Sequence, residues 1–160
     1  MHTEPGTGHL WLQRLIGSWQ FTADCSMGPD KPRETFNGSE TVRSLGGLWI
    51  IGEGQGEMPG GGIGHTILTL GFDPATGRYP GTWIGSMMSH LWLYDGSMDA
   101  DGKVLTLAAQ GPSFAGDGSM ARYQDVITLA GDDERILTSR VQMPDGNWQE
   151  FMTATYRRTA

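Results

Sequence analysis

Leu15-Ile16-Gly17-Ser18-Trp19-Gln20-Phe21-Thr22-Ala23-Asp24-Cys25-Ser26-Met27 is the stretch that decides the fold. From Trp19 onward its residues alternate. Trp19, Phe21, Ala23, Cys25 and Met27 fall on one side, and Ser18, Gln20, Thr22, Asp24 and Ser26 on the other. A period of two with one apolar face marks a half-buried β-strand. Just before it, Leu10, Trp11, Leu12, Leu15 and Ile16 leave polar Gln13 and Arg14 between them. That pattern predicts a short amphipathic helix over 9–16, stopped by Gly17.

Beyond this point no stretch keeps a helical period. Strand-like segments over 18–27, 34–45, 48–57, 63–73, 78–88, 90–95, 103–110, 119–130, 134–143 and 147–158 alternate with turn signals. Their spacing is the ~8–12 residues of sandwiches and barrels. Asp73-Pro74-Ala75-Thr76-Gly77 is a tight reversal, with proline setting φ and glycine supplying a positive one. Asp101-Gly102 and Asp145-Gly146 carry the pair favoured in two-residue hairpin turns, and Gly131-Asp132-Asp133 is a weaker version. Pro59-Gly60-Gly61-Gly62 reads as a rim loop. Consecutive hairpins make an up-and-down meander, and about ten such strands close on themselves to remove their edges. The expected architecture is all-β: a closed antiparallel barrel over 18–158, with the 9–16 helix capping one end. Trp19, Phe21 and Met27 are expected to point inward. Residues 1–160 read as a single domain without linker or repeat.

Composition narrows the partners. Twenty-five glycines lie in short punctuating groups, which suits turns and bends, while six tryptophans and nine methionines call for a packed interior. A net charge of −7 repels phosphate backbones, and Arg157-Arg158 is too small a basic cluster to offset it, so no nucleic-acid partner is expected. The single cysteine, Cys25, excludes an internal disulfide and reads as a buried, inert thiol. No apolar run approaches the ~20 residues of a membrane span. Residues 1–8 lack the basic start and apolar stretch of a secretory leader, so a cytoplasmic location is the expectation.

Several motifs fail on inspection. Gly52-Glu53-Gly54-Gln55-Gly56 is a glycine alternation on a strand, with no helix after it to offer its N-terminus to a phosphate. Asp99-Ala100-Asp101-Gly102 imitates a calcium loop, but Ala108 stands where the bidentate glutamate belongs. His2, His9, His65 and His90 show no ligand spacing, so neither a metal nor a cofactor is expected. There is no Gly-x-Ser-x-Gly elbow for an acyl-transfer serine.

A Gly-x-Trp leading into a strand just after a short helix resembles the opening of calycin barrels: lipocalins, fatty-acid-binding proteins and nitrobindin. There the tryptophan plugs one end and the helix closes the floor. Over nearly the whole chain the sequence is similar to the bacterial domain-of-unknown-function family 1579. The matching residues are His9 with Leu15-Ile16-Gly17-Ser18-Trp19, Gly38 with Arg43-Ser44-Leu45-Gly46-Gly47, and Gly71-Phe72-Asp73 with Gly77-Arg78-Tyr79. They continue through Trp83-Ile84-Gly85-Ser86-Met87, Gly96 with Asp99 to Thr106, and Thr155-Tyr156-Arg157-Arg158. The resemblance implies a lipocalin-like barrel and says little about activity, because the family is uncharacterised. The chain departs from it at Gly85, where an acidic residue is common. Fatty-acid-binding proteins place an Arg-x-Tyr anchor on the last strand, a spacing that Tyr156-Arg157-Arg158 does not reproduce. Nitrobindin holds haem through a late histidine, and none follows His90 here.

The candidate ligand-binding residues are Trp49, Trp83, Met87, His90, Trp92 and Tyr94. Trp83 and Met87 share a strand face with Gly81 and Gly85, so that face either leaves room for a ligand under the tryptophan or packs where the strand bends. His90, Trp92 and Tyr94 share another, which lines the cavity or covers neighbours outside. Arg122 and Arg140 are mid-strand, where exposure is the cheaper placement, although an interior arginine would anchor a carboxylate. The leading functional expectation is non-catalytic binding of a small, largely apolar molecule inside the barrel. The alternatives are an isomerase or cyclase with His90 or His65 as base and Tyr94 or Tyr156 as proton partner, and an interaction module without ligand. Leu48-Trp49-Ile50-Ile51 and Leu91-Trp92-Leu93 carry apolar residues on both strand faces, which points to a homodimer if nothing in the chain covers them.

Overall fold

The computed structural model describes residues 3–160, so His2 lies outside the described residues. One helix, α1 (Thr7–Gln13), precedes ten strands. These are β1 (Gly17–Cys25), β2 (Glu34–Leu45), β3 (Trp49–Glu57), β4 (Ile63–Gly71), β5 (Tyr79–Gly85), β6 (Trp92–Met98), β7 (Val104–Pro112), β8 (Met120–Leu129), β9 (Glu134–Gln142) and β10 (Trp148–Arg158). Each strand pairs antiparallel with the next, and β10 pairs with β1, so the sheet closes into a barrel. The closed antiparallel meander expected from the hairpin signals is the fold.

The helix begins two residues earlier than its apolar pattern suggests, because the Gly6 amide donates to His9 Nδ1 at 2.9 Å across the first turn. It ends at Gln13, and the amides of Leu15 and Ile16 continue as i→i−3 turns onto Leu12 and Gln13. Leu12, Leu15 and Trp19 are almost wholly buried and form the floor of the barrel. Trp19 Nε1 donates to the Leu15 carbonyl at 2.9 Å, and Trp11 Nε1 to the Gly102 carbonyl at 2.6 Å, which ties the helix to the β6–β7 turn. The two ends of the chain meet here. Gly17 has φ +137°, and the Arg158 side chain occupies the space where a Cβ at Gly17 would stand. Arg158 bonds the carbonyls of Ile16 and Arg14 and lies 4.2 Å from the Trp19 ring centroid. It thereby satisfies carbonyls at the helix end that have no intrahelical partner.

Boundary differences have local causes. β1 stops at Cys25, its last rung being the Ser26 amide on the Phe151 carbonyl. Met27 therefore lies in the following loop and not on the inward row, a correction to the expectation. β6 runs on to Met98 because the turn starts only at Asp99, whose Oδ1 accepts from the amides of Lys103 and Val104. Asp99 is thus a turn cap. The β6–β7 ladder is short: only Asp95–Met98 pairs with Leu105–Ala108. Toward the rim, Trp92–Tyr94 pairs with β5 alone and Ala109–Pro112 with β8 alone. The Trp92 ring covers that seam from inside, packed on Gly111 and edge-on to Tyr123 at 5.0 Å.

Candidate functional site

The end opposite α1 opens between rim loops, and below it lies an interior cavity of two adjoining lobes of about 280 and 480 Å³. Trp83, Tyr94, Leu107, Asp125, Leu137 and Met152 line both lobes and form the waist between them. The space exists because of side chains that are missing. β3 turns Gly52, Gly54 and Gly56 inward, so its inner wall is nearly bare. At Gly52 an added Cβ would stand 2.7 Å from Glu40 Oε2, so this glycine also makes room for a buried carboxylate. The glycine alternation is therefore a device for interior volume.

Four of the six candidates line this cavity. Met87 belongs to the first lobe, Trp92 to the second, and Trp83 and Tyr94 to both. Met87 lies past the end of β5, yet folds back with Trp83 over Gly85. Trp49 and His90 differ from the expectation. Trp49 is on the outer face, packed over Gly71, because its neighbour Ile50 takes the inward position. His90 precedes β6 and lies against the outside of the wall, its Nε2 2.9 Å from the Gln110 carbonyl and its ring edge-on to Trp92. His65 is exposed on the outer face of β4, as Gly64 and Thr66 point inward. Arg122 is exposed, as expected. Arg140 is half-buried, its Nε donating to Gln124 Oε1 at 2.7 Å.

The polar residues of the interior are ones that periodicity did not single out. Arg135 on β9 points inward at 3% exposure and pairs through Nη2 with buried Glu40 on β2. Its guanidinium carbon lies 4.0 Å from the Tyr156 ring centroid and 4.8 Å from that of Trp19, and its Nε is buried without a hydrogen-bond partner. Asp125 on β8 accepts from the Tyr94 hydroxyl, and from Ser139 Oγ at 2.6 Å. Burial pushes the Asp125 carboxyl above its usual range, while the bonds from Ser139 and Tyr94 pull the other way. Burial likewise raises the Tyr94 and Tyr156 phenols, with the Asp125 carboxylate adding to the first and Glu40 to the second. Burial, then the Asp24 carboxylate, raises the Cys25 thiol, which keeps it protonated and unreactive. One cue to Asp125 was in the sequence: it interrupts an otherwise apolar row of Tyr123, Ile127 and Leu129.

The family model described as Protein of unknown function (DUF1579) matches residues 4–158. The chain belongs to that family. Among solved structures, the DUF1579 barrel is similar to Rv2717c from M. tuberculosis, with a TM-score of 0.70 at 15% identity, covering 98% of this chain and 100% of that one. It is also similar to EF1p2_mFAP2b bound to DFHBI, with a TM-score of 0.52 at 15% identity, covering 96% of this chain and 100% of the other. At such identities the likeness shows the fold alone. No curated protein matches the sequence. Among the described residues of this DUF1579 member, no helix is long and apolar enough to cross a membrane.

Proposed function

We propose that this barrel binds a small, largely apolar molecule in its interior without transforming it. The observation that carries the reading is the two-lobed cavity, walled by aromatic and methionine side chains and opened by the glycine row of β3. Its volume is in the range that encloses a drug-sized molecule, and methionine adapts well to varied ligand shapes. EF1p2_mFAP2b, which shares the fold, is bound to DFHBI, so binding a small molecule is a role open to such a barrel. The isomerase or cyclase alternative needs a histidine in the cavity. His65 and His90 are both on the outside, so that reading is not carried forward.

Freshly purified protein is expected to retain a small molecule in native mass spectrometry, or to take up Nile red with quenching of tryptophan fluorescence. Ala23→Phe, which adds a ring into the first lobe, should abolish uptake while the fold persists by circular dichroism. A folded wild-type protein that retains nothing and takes up no probe would sink the proposal.

A second reading concerns the outer wall. Ile67 pairs with Ile84, Leu93 pairs with Thr82, and all three isoleucine and leucine side chains are exposed, Leu93 at 63%. Neither α1 nor a rim loop covers them, so we propose that a second copy of this chain does, as a homodimer in a cytoplasmic setting that the unpaired Cys25 suits. Light scattering over a dilution series should show a dimer that Leu93→Lys dissociates. A monomer at micromolar concentration would refute it.

A further inference from the structure

The cavity's polar groups narrow the class of ligand, an inference that rests on the interior-binding reading. Among the described residues, three carboxylates border the two lobes, Glu40 and Asp125 from inside and Glu57 from the outward row at the end of β3, against one cation, Arg135. A ligand carboxylate would have to be held by that arginine, whose charge Glu40 already offsets. Its Nη2 is bonded to Glu40, Tyr156 and Trp19 lie against its guanidinium, and its unpartnered Nε is enclosed by protein. An anion entering this barrel would meet Asp125 at the waist, with Arg135 already offset by Glu40.

Asp125 is in the opposite position. It is the carboxylate at the waist shared by both lobes, and its hydrogen bonds from Tyr94, to Oδ2, and from Ser139, to Oδ1, use one lone pair on each oxygen. A carboxylate has about four such acceptor sites. Among the described residues no further hydrogen bond uses the other two, and the residue lines both lobes. Tyr94 and Ser139 hold the carboxylate in place from β6 and β9, so its orientation does not depend on the ligand. Trp83, Trp92 and Tyr123 line the same space, and aromatic rings accept an apolar body and attract a cation.

We propose that the interior selects lipophilic molecules with a hydrogen-bond donor head, protonated amines first and alcohols second, over lipophilic carboxylic acids, and that Asp125 is the residue that receives the head. The chain length of the ligand would lie along the lobes, with the head at the waist.

The test uses wild-type protein loaded with Nile red near neutral pH, displaced by dodecylamine, 1-dodecanol or dodecanoate below their micellar concentrations. The amine should displace the dye roughly tenfold more effectively than dodecanoate, with the alcohol between them, as charge-assisted and neutral hydrogen bonds would order them. In Asp125→Asn, with displacement read against that variant's own Nile red affinity, the preference for the amine should be lost. Dodecanoate displacing as well as the amine would overturn this proposal and leave interior binding standing. So would an Asp125→Asn variant that keeps the preference. Absence of Nile red uptake, and of binding by all three competitors, would overturn both readings.

Discussion

Arg135 and Glu40 show what a single pair of residues can require of its surroundings. Two opposite charges withdrawn from water gain stability only while both are present. Arg135→Met should therefore cost about 3–5 kcal/mol in urea denaturation, because it leaves the Glu40 side chain without its partner in a nearly sealed site. Adding Glu40→Gln should recover much of that loss, and strictly additive costs would mean that the two side chains do not act as a pair. Neither residue stands out in the sequence. Glu40 lies among polar neighbours on β2, and Arg135 resembles Arg122 and Arg140 on the adjoining stretches. Their partner is across the barrel, 95 residues away in the chain, and local pattern carries no trace of it.

At the scale of elements, legibility followed locality. Turns are made by three or four adjacent residues, so Asp73 to Gly77, Asp99 to Gly102 and Asp145-Gly146 could be read directly. They bound β4, β6 and β9 to within a few residues. The inward face of β1 could be read as well, because its two rows differ sharply in polarity. It could not be read for Trp49-Ile50-Ile51, where apolar residues occupy both rows and only the pairing with β2 and β4 decides that Ile50 turns in. His90 shares the parity of Trp92 and Tyr94, but β6 begins only at Trp92, so the inward row does not extend to it. The glycine row of β3 was visible as a pattern, but its meaning depends on which face it belongs to, which is a property of the closed sheet.

The whole molecule holds its tyrosines as a set. All four, Tyr79, Tyr94, Tyr123 and Tyr156, have phenols raised above the ordinary value, in each case first by burial. A folded-state pKa above the unfolded one means that the stability is fully present below the unfolded value and is lost as pH rises beyond it. Alkaline conditions should thus unfold the barrel as pH climbs past about 10, with the phenols of the unfolded chain driving the transition. Tyrosinate absorbance should appear together with the loss of the far-ultraviolet circular dichroism signal. Phenols that ionise one by one in an intact barrel would contradict this.

The short ladder between β6 and β7 has a kinetic consequence. In a cylinder sealed by hydrogen bonds all the way round, deep amides exchange with solvent deuterium only when large parts of the structure come apart. Here the rim half of one junction has no rungs, and an indole stands in their place. Amides along Trp92–Tyr94 and Ala109–Gly111 that face each other across it should exchange faster than those of the β1–β2 and β1–β10 junctions, which are paired along nearly their full length. Equal protection on all sides would refute this. The wall then has one line of least resistance, and the cost of parting it is set by the packing of Trp92 and the contact of His90 with the Gln110 carbonyl rather than by a run of backbone bonds.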